Sequence, residues 1–283
     1  MLNEFNNKTN IISPNEYSKF HALGADLDAR GLAEEKMSDG GGGRRKRTLD
    51  EAIEVKTLLT NQILIALPNN DFARLLSHLE PVSLQFGESL DKSIDKSRFV
   101  YFPESAVVSQ LNSLSNGSTA EVAMVGYEGS VGLSSVFGFQ PPTCWMEVTI
   151  AGSALRIDAQ VFKQEFGRSA ALQKALLGYI NFYITQIAQK AVCNVHHLAE
   201  ERLCTWLLML HDRAQTDSLL LTQDHISRYL GVHRPSVTHV AQALREKAAI
   251  SYVRGYLNIL DRSKLESLAC ECYAAMRESV LIS

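Results

Sequence analysis

The sequence predicts an α+β chain: a small β-rich unit, then one long helix, then a compact unit of two short helices and a hairpin. Three observations predict this. Short period-two apolar runs, broken by turn residues, fill residues 81–157. A seam of apolar residues at alternating three- and four-residue steps runs through 177–191. The stretch TQDHISRYLGVHRPSVTHVAQALRE, residues 222–246, holds two amphipathic runs joined at a single glycine.

In chain order, residues 1–50 are polar, lack sustained periodicity and contain GGGGRRKR at 40–47, so a flexible tail ending in a linker is expected. Arg44, Arg45, Lys46 and Arg47 offer a weaker reading as nonspecific contacts to DNA phosphate. An amphipathic helix is expected over 49–65, and a second from Asn70 with Phe72, Leu75, Leu76 and Leu79 on one stripe. The period then changes to two. PVSLQF, RFVYF, AVVSQL, AEVAMV, WMEVTI and ALRI read as strands, interrupted by Pro103, Asn116-Gly117, Gly126, Gly129 and Gly152. Together they describe a small barrel or sandwich within residues 51–168. Asp158 is a good N-cap for a short helix over AQVFKQEF.

A long helix is expected over 169–197. Leu177, Ile180, Ile184, Ile187 and Ala191 form one apolar stripe; Leu172, Leu176, Tyr179 and Tyr183 form another. Two stripes need two partners. One is the chain's own β-rich unit; the other is the same helix in a second copy, so a homodimer is expected over a helix buried within one domain.

Residues 198–283 complete the chain. Thr222 caps a helix over 223–230, on which Ile226 and Leu230 point inward. Ser227 is small where a second helix must cross, and Gly231 supplies the left-handed turn. His233 is placed to cap the next helix, with Pro235 in its first turn. Val237, Val240, Ala241 and Leu244 make the buried stripe, which leaves Arg234, Ser236, Thr238, His239 and Gln242 on other faces. This is the pattern of a DNA-reading helix-turn-helix, whose second helix enters the major groove. Arg234 suits a bidentate contact to guanine; Ser236, Thr238 and Thr222 suit phosphate oxygens; His239 reaches either; His233 and Gln242 complete the expected DNA-binding set. ISYV and LNIL around Gly255 read as a hairpin wing beside that helix.

Charge supports the same reading locally rather than globally. The chain carries a net charge of −3 at pH 7, yet Thr222 to Lys264 holds seven Arg and Lys against three acids, or +4. No apolar run approaches the ~18 residues of a membrane span, and MLNEFNNKTN lacks the layout of a secretory signal. Five cysteines, at 144, 193, 204, 270 and 272, argue against a disulfide framework and for a reducing cytoplasm. There is no GxxxxGK[ST], HExxH or GxSxG, so no catalytic residues are assigned and an enzyme is not expected.

The order of parts resembles the Crp/Fnr family of bacterial transcription regulators, over about residues 58–273. LTQDHISRYLGVHRPSVTHVAQALREKAAISYVRG is similar to that family's winged helix-turn-helix, and EVAMVGYEGSVGL with WMEVTIAGSALRIDAQVFKQEF to its cyclic-nucleotide-binding-like β-roll. The resemblance places Arg234 at the family's base-reading arginine. Pro235 stands where an acidic reader often lies, and His239 where a second arginine often lies, so the familiar operators are not implied. In nucleotide-binding members a glycine, glutamate and leucine bind ribose, and an arginine–serine pair grips the cyclic phosphate. Here the first reads Gly132-Leu133-Ser134 and the second Pro142-Thr143, so cyclic AMP or cyclic GMP in the familiar mode is not expected.

An oxygen-sensing iron–sulfur cluster needs about four thiolates, and this chain has no cysteine before Cys144. Cys270-Glu271-Cys272 and His196-His197 do not each complete a tetrahedral site, so no metal ligand is assigned. No cofactor is expected and the effector stays open. The expected partners are double-stranded DNA, a second copy and RNA polymerase, with no membrane. Two rivals remain: a constitutive DNA binder with a ligand-free roll, and a winged-helix protein-interaction module without DNA affinity.

Overall fold

A buried asparagine decides how the chain enters the β-rich unit. The computed structural model describes residues 42–91, 98–138 and 144–278. In place of one helix over 49–65 there are two, α1 (Gly42–Leu58) and α2 (Gln62–Ala66). The break falls at Asn61, whose Oδ1 accepts from the Leu64 N–H at 3.3 Å while its Nδ2 donates to the carbonyls of Pro103 (3.0 Å) and Gly129 (2.9 Å). Glu104 accepts from the Thr60 N–H at 2.6 Å beside it. These bonds to the roll outweigh continuing the helix through Thr60. α1 also begins inside the expected 1–50 tail, running back from the strong helix formers after the glycines. Residues 1–41 of that tail, and the side chains of residues 44–47, lie outside the described residues.

Helix α3 (Asn69–Leu76) buries Phe72, Leu75 and Leu76. The six expected strands are all present: β1 (Glu80–Leu84), β2 (Phe99–Pro103), β3 (Val107–Ser113), β4 (Thr119–Val125), β5 (Cys144–Ile150) and β6 (Gly152–Asp158). They form two antiparallel sheets, β1-β6-β2 and β4-β3-β5, with the short helix α4 (Leu133–Phe137) between β4 and β5. Leu84, Val100, Phe102, Val108, Val125, Val148 and Leu155 fill the space inside. Asp158 caps α5 (Ala159–Arg168) by accepting from the Gln160 N–H at 2.9 Å.

The long helix α6 (Ala170–His196) starts at Ser169, whose hydroxyl accepts from the Leu172 N–H at 3.1 Å. Its inner stripe of Leu172, Leu176, Tyr179, Phe182 and Gln186 is buried on the roll. It stops at extended His197 and Leu198. Glu201 then accepts from the Leu198 N–H at 2.8 Å, opening α7 (Ala199–Ala214).

The C-terminal unit continues with β7 (Ser218–Leu220), α8 (Gln223–Leu230), α9 (Arg234–Glu246), β8 (Ile250–Val253), β9 (Tyr256–Ile259), α10 (Arg262–Leu268) and α11 (Cys272–Glu278). The wing is a three-stranded sheet, β7-β9-β8, rather than a bare hairpin, because Leu219 of β7 pairs with Leu257.

This unit is docked on the roll. Strand β3 alternates, so Val108 faces the roll's interior while Val107 and Leu111 face outward with Met124. These outward residues join Trp206, Leu207, Leu210, Tyr229 and Leu230 in a second core. Acids on the roll secure the contact. Glu128 pairs with Arg213 at 2.7 Å, Trp206 donates to Glu121 at 3.1 Å, and Tyr229 donates to Glu147 at 3.0 Å, with Arg228 also bound to Glu147. Lys190 of α6 completes the Glu121 site.

Candidate nucleic-acid interface

The turn between α8 and α9 fixes the geometry of everything on the exposed face of α9. Thr222 caps α8: its Oγ1 accepts from the His225 N–H at 3.2 Å, and His225 Nδ1 accepts from the Thr222 N–H at 3.3 Å. Gly231 closes α8 at φ +64°, a left-handed position costly for a residue with a Cβ, and a Cβ there would sit 3.1 Å from that of Ala120 on the roll. Ser227 spans the turn by donating to the Val232 carbonyl at 2.6 Å.

His233 sits at the N-cap of α9, but its side chain makes no capping bond; Pro235 lies in the first turn. Val237, Val240, Ala241 and Leu244 are buried. The opposite side is open. Arg234, Ser236, Thr238, His239 and Gln242 are all exposed on one helix, and Arg234, Thr238 and Gln242 follow each other at four-residue spacing. Thr222 is half-buried, beside the turn of the wing at Gly255.

Local partners hold parts of this face. Arg234 pairs with Asp224 at 3.3 Å, Thr238 donates to Gln223 at 2.8 Å, and Gln242 donates to Glu246 at 3.0 Å. The Arg234 pair is exposed on both sides, and such a pair is worth ~0–1 kcal/mol, little against a bidentate base contact.

The local +4 shrinks in three dimensions. Arg228 is committed to Glu147, Lys247 to Glu200 and Arg262 to Asp212. Lys264 lies 3.5 Å from Asp261. Arg245 and Arg254 have no ion-pair partner among the described residues. Arg254 stands exposed at the wing tip, where it and Gly255 have φ of +51° and +85°, as a type I′ turn requires. Gln223, Arg245 and Arg254 lie outside the expected DNA-binding set, although both arginines belong to the local +4. The turn residue before a glycine was the available signal for Arg254.

The expected dimerisation stripe lies on the outer side of α6. Leu177 and Ile184 are 63% and 60% exposed; Ile180 and Ile187 are half-buried and Ala191 is exposed. Val192, Val195 and Leu198 extend the apolar surface to the hinge, the extended residues His197 and Leu198 between α6 and α7.

Inside the roll, a cavity of about 700 Å³ lies between β2, β3, α4, β5 and α6. Phe99, Tyr101, Gln110, Ser134, Trp145 and Tyr183 line it, as does Ile180. Among the described residues Asp91 is its only charged lining group, and Asp91 accepts from the Met146 N–H at 2.9 Å. The Ser130 hydroxyl, also in the wall, is buried without a hydrogen-bond partner among the described residues. Gly132 is needed there by the fold: a Cβ would lie 2.3 Å from the Phe99 carbonyl oxygen. Pro142-Thr143 lies outside the described residues.

Comparison with known proteins agrees with the geometry. Residues 201–268 match the Crp-like helix-turn-helix domain family. No curated protein matches the chain in sequence. Among solved structures, the fold is similar to that of a transcriptional regulator assigned to the Crp/Fnr family from Eubacterium rectale, at 16% identity and TM-score 0.58, covering 74% of this chain and 98% of that one. FixK2 from Bradyrhizobium japonicum is similar at 18% identity and TM-score 0.55, covering 68% and 98%. The c-di-GMP-responsive global regulator CLP of Xanthomonas campestris is similar at 15% identity and TM-score 0.52, covering 68% and 99%.

Proposed function

We propose that this chain, which joins a Crp-like helix-turn-helix to the fold of Crp/Fnr transcriptional regulators, is a sequence-specific DNA-binding regulator that acts as a homodimer on a two-fold symmetric operator. The observation that carries the reading is the α9 face. Arg234, Ser236, Thr238, His239 and Gln242 are exposed there on a helix whose other side is fully buried and whose entry is fixed by Gly231. A surface helix that only packs also exposes a polar face; what favours DNA is that this face follows a Gly231 turn in a segment matching the Crp-like helix-turn-helix family. Arg234 reads a base edge and the hydroxyls and Arg254 hold phosphate, which sets register.

The dimer reading rests on the outer stripe of α6. Large apolar side chains at 177 and 184 stay more than half exposed although the same helix buries its inner stripe fully. A second copy of the helix covers such a stripe. Two-fold symmetry then places the two α9 helices on half-sites about 10 or 20 base pairs apart. RNA polymerase is the protein partner such a dimer meets at a promoter.

The signal enters through the roll cavity. Its lining offers no fixed cation among the described residues, so it suits an uncharged, partly apolar molecule and not a cyclic phosphate. Tyr179, Ile180 and Tyr183 of α6 line it, so occupancy bears directly on the dimer helix. Among the described residues no helix is long and apolar enough to cross a membrane.

The test is selection of bound sequences from random duplex DNA at two salt concentrations. A symmetric motif with steeply salt-dependent binding supports the reading. Absence of retention at low salt supports the interaction-module alternative. Arg234→Ala is expected to cost about 1–3 kcal/mol at one operator position; unchanged specificity would overturn the base-reading role.

A further inference from the structure

The sequence leaves Cys193, His197, Cys270 and Cys272 as unrelated residues: one within the long helix, one in a pair of histidines, two near the C-terminus. The fold brings them to one point. Their ligand atoms all lie within 4.8 Å of one another, at the junction where α6 ends, α7 begins and the chain turns from α10 into α11. The expectation of no metal ligands took the Cys270–Cys272 and His196–His197 pairs separately; more than 70 residues of chain separate Cys270 from Cys193 and His197.

We propose that these four residues form a tetrahedral zinc site that ties the end of the long helix to the C-terminal helix across the hinge. Zinc with Zn–S bonds of ~2.3 Å and Zn–N bonds of ~2.0 Å sets tetrahedral edges of about 3.8 Å between sulfurs and about 3.5 Å between sulfur and nitrogen. Cys193 Sγ lies 3.6 Å from Cys270 Sγ, and Cys272 Sγ lies 3.5 Å from His197 Nδ1. A polynuclear cluster needs its ligands wider apart, since its own core stands between them. Three thiolates and an imidazole are a recurrent zinc set.

The surroundings fit the ion. His197 Nε2 lies 3.3 Å from Glu271 Oε2, which holds the ring with Nε2–H toward the carboxylate and the Nδ1 lone pair toward the sulfurs. Gln189 Nε2 donates to Cys272 Sγ at 3.0 Å, and Thr205 Oγ1 lies 3.1 Å from Cys270 Sγ, as outer partners of coordinated thiolates do. The three sulfurs are buried. Arg202 stands beside Cys193 and Cys270, and its buried Nε–H has no hydrogen-bond partner among the described residues. Divalent zinc with three thiolates and a neutral imidazole leaves one net negative charge, which that guanidinium balances. Four neutral groups would leave that half-buried guanidinium, whose Nη2 donates to the Leu230 carbonyl, with no ion-pair partner among the described residues.

A metal here links α6 through Cys193, the hinge through His197, and the C-terminal unit through Cys270 and Cys272. It therefore sets the angle between the dimer helix and the winged helix. Binding exchanges thiol protons for the ion: three S–H bonds are lost, three Zn–S bonds form and three protons pass to solvent.

The experiment uses the full chain, purified reduced and without chelator. Elemental analysis is expected to find about one zinc per chain. Replacement by Co²⁺ is expected to give thiolate-to-cobalt charge-transfer bands and the intense visible bands of a tetrahedral ion. C272S is expected to lose both metal and bands. H197C, which keeps four ligands, is expected to retain metal with stronger charge transfer, and C144S to change nothing. Because C272S can fail to fold, the wild-type chain supplies a second readout: stripping the metal with a chelator should speed alkylation of Cys193, Cys270 and Cys272 together, added zinc should then slow it again, and Cys144 should be unaffected. Reduced wild-type chain without zinc and without cobalt bands would overturn the proposal. So would alkylation rates indifferent to zinc, or metal retained in the C193S/C272S double variant.

Discussion

Glu128→Gln is the sharpest test of how the winged helix is held on the roll. Glu128 Oε1 lies 2.7 Å from Arg213 Nε, with the two side chains only 2% and 6% exposed. The same carboxylate accepts from the Gly126 N–H at 3.1 Å, and Arg213 donates to the Met209 carbonyl at 3.1 Å. Glu80 and Arg156 form a pair of similar length, 2.9 Å, but at 56% and 33% exposure. Burial, not distance, separates the two. Removing one partner of a buried pair leaves an uncompensated charge and costs about 3–5 kcal/mol; an exposed pair is worth about 0–1 kcal/mol. Urea unfolding should therefore shift strongly for E128Q and hardly for E80Q. Proteolysis near Leu198 should accelerate only in E128Q, because Arg213 lies on α7 and Glu128 on the roll. The apolar pair E128L/R213M should recover most of the loss, since it buries no charge. Equal effects of E128Q and E80Q would refute the argument.

Three further outcomes follow from particular contacts. Gly231→Ala should destabilise by about 1–2 kcal/mol from the left-handed backbone alone, with added crowding against Ala120; thermal melting equal to the parent would show that the turn relaxes freely. Burial first, and then the charge of Arg228, hold His225 below its ordinary pKa, so the unfolded chain takes up its proton more readily. The stability tied to neutral His225 is present above that ordinary value and is lost as pH falls from it toward the depressed one. His225→Gln, which preserves an acceptor at the third helical position, should flatten the acid side of the stability profile, and an unchanged profile would count against the assignment. Leu177→Glu with Ile184→Glu should convert a dimer to a monomer in sedimentation while leaving monomer stability within ~0.5 kcal/mol, because both side chains are exposed.

Local patterns were legible wherever a single element decides them. Strand alternation from Val82 to Ile157, the caps at Asp158 and Thr222, the glycine turn and the buried stripe of α9 each follow from a few neighbouring residues. The sequence by itself determined the order of elements, the exposed polar face of α9 and the doubly apolar long helix. It also misplaced what depends on distant partners. The break at Asn61 exists because Pro103 and Gly129 offer carbonyls to its amide. Arg228, Lys247 and Arg262 look like DNA-facing charge in the chain but are claimed by Glu147, Glu200 and Asp212. Only the tertiary structure seated the winged helix on the roll, since Val107, Leu111 and Met124 face outward on strands whose alternation alone does not name their partner. Only it gathered Cys193, His197, Cys270 and Cys272. Periodicity reports the faces a segment presents; which face meets which is decided by packing between segments far apart in the chain.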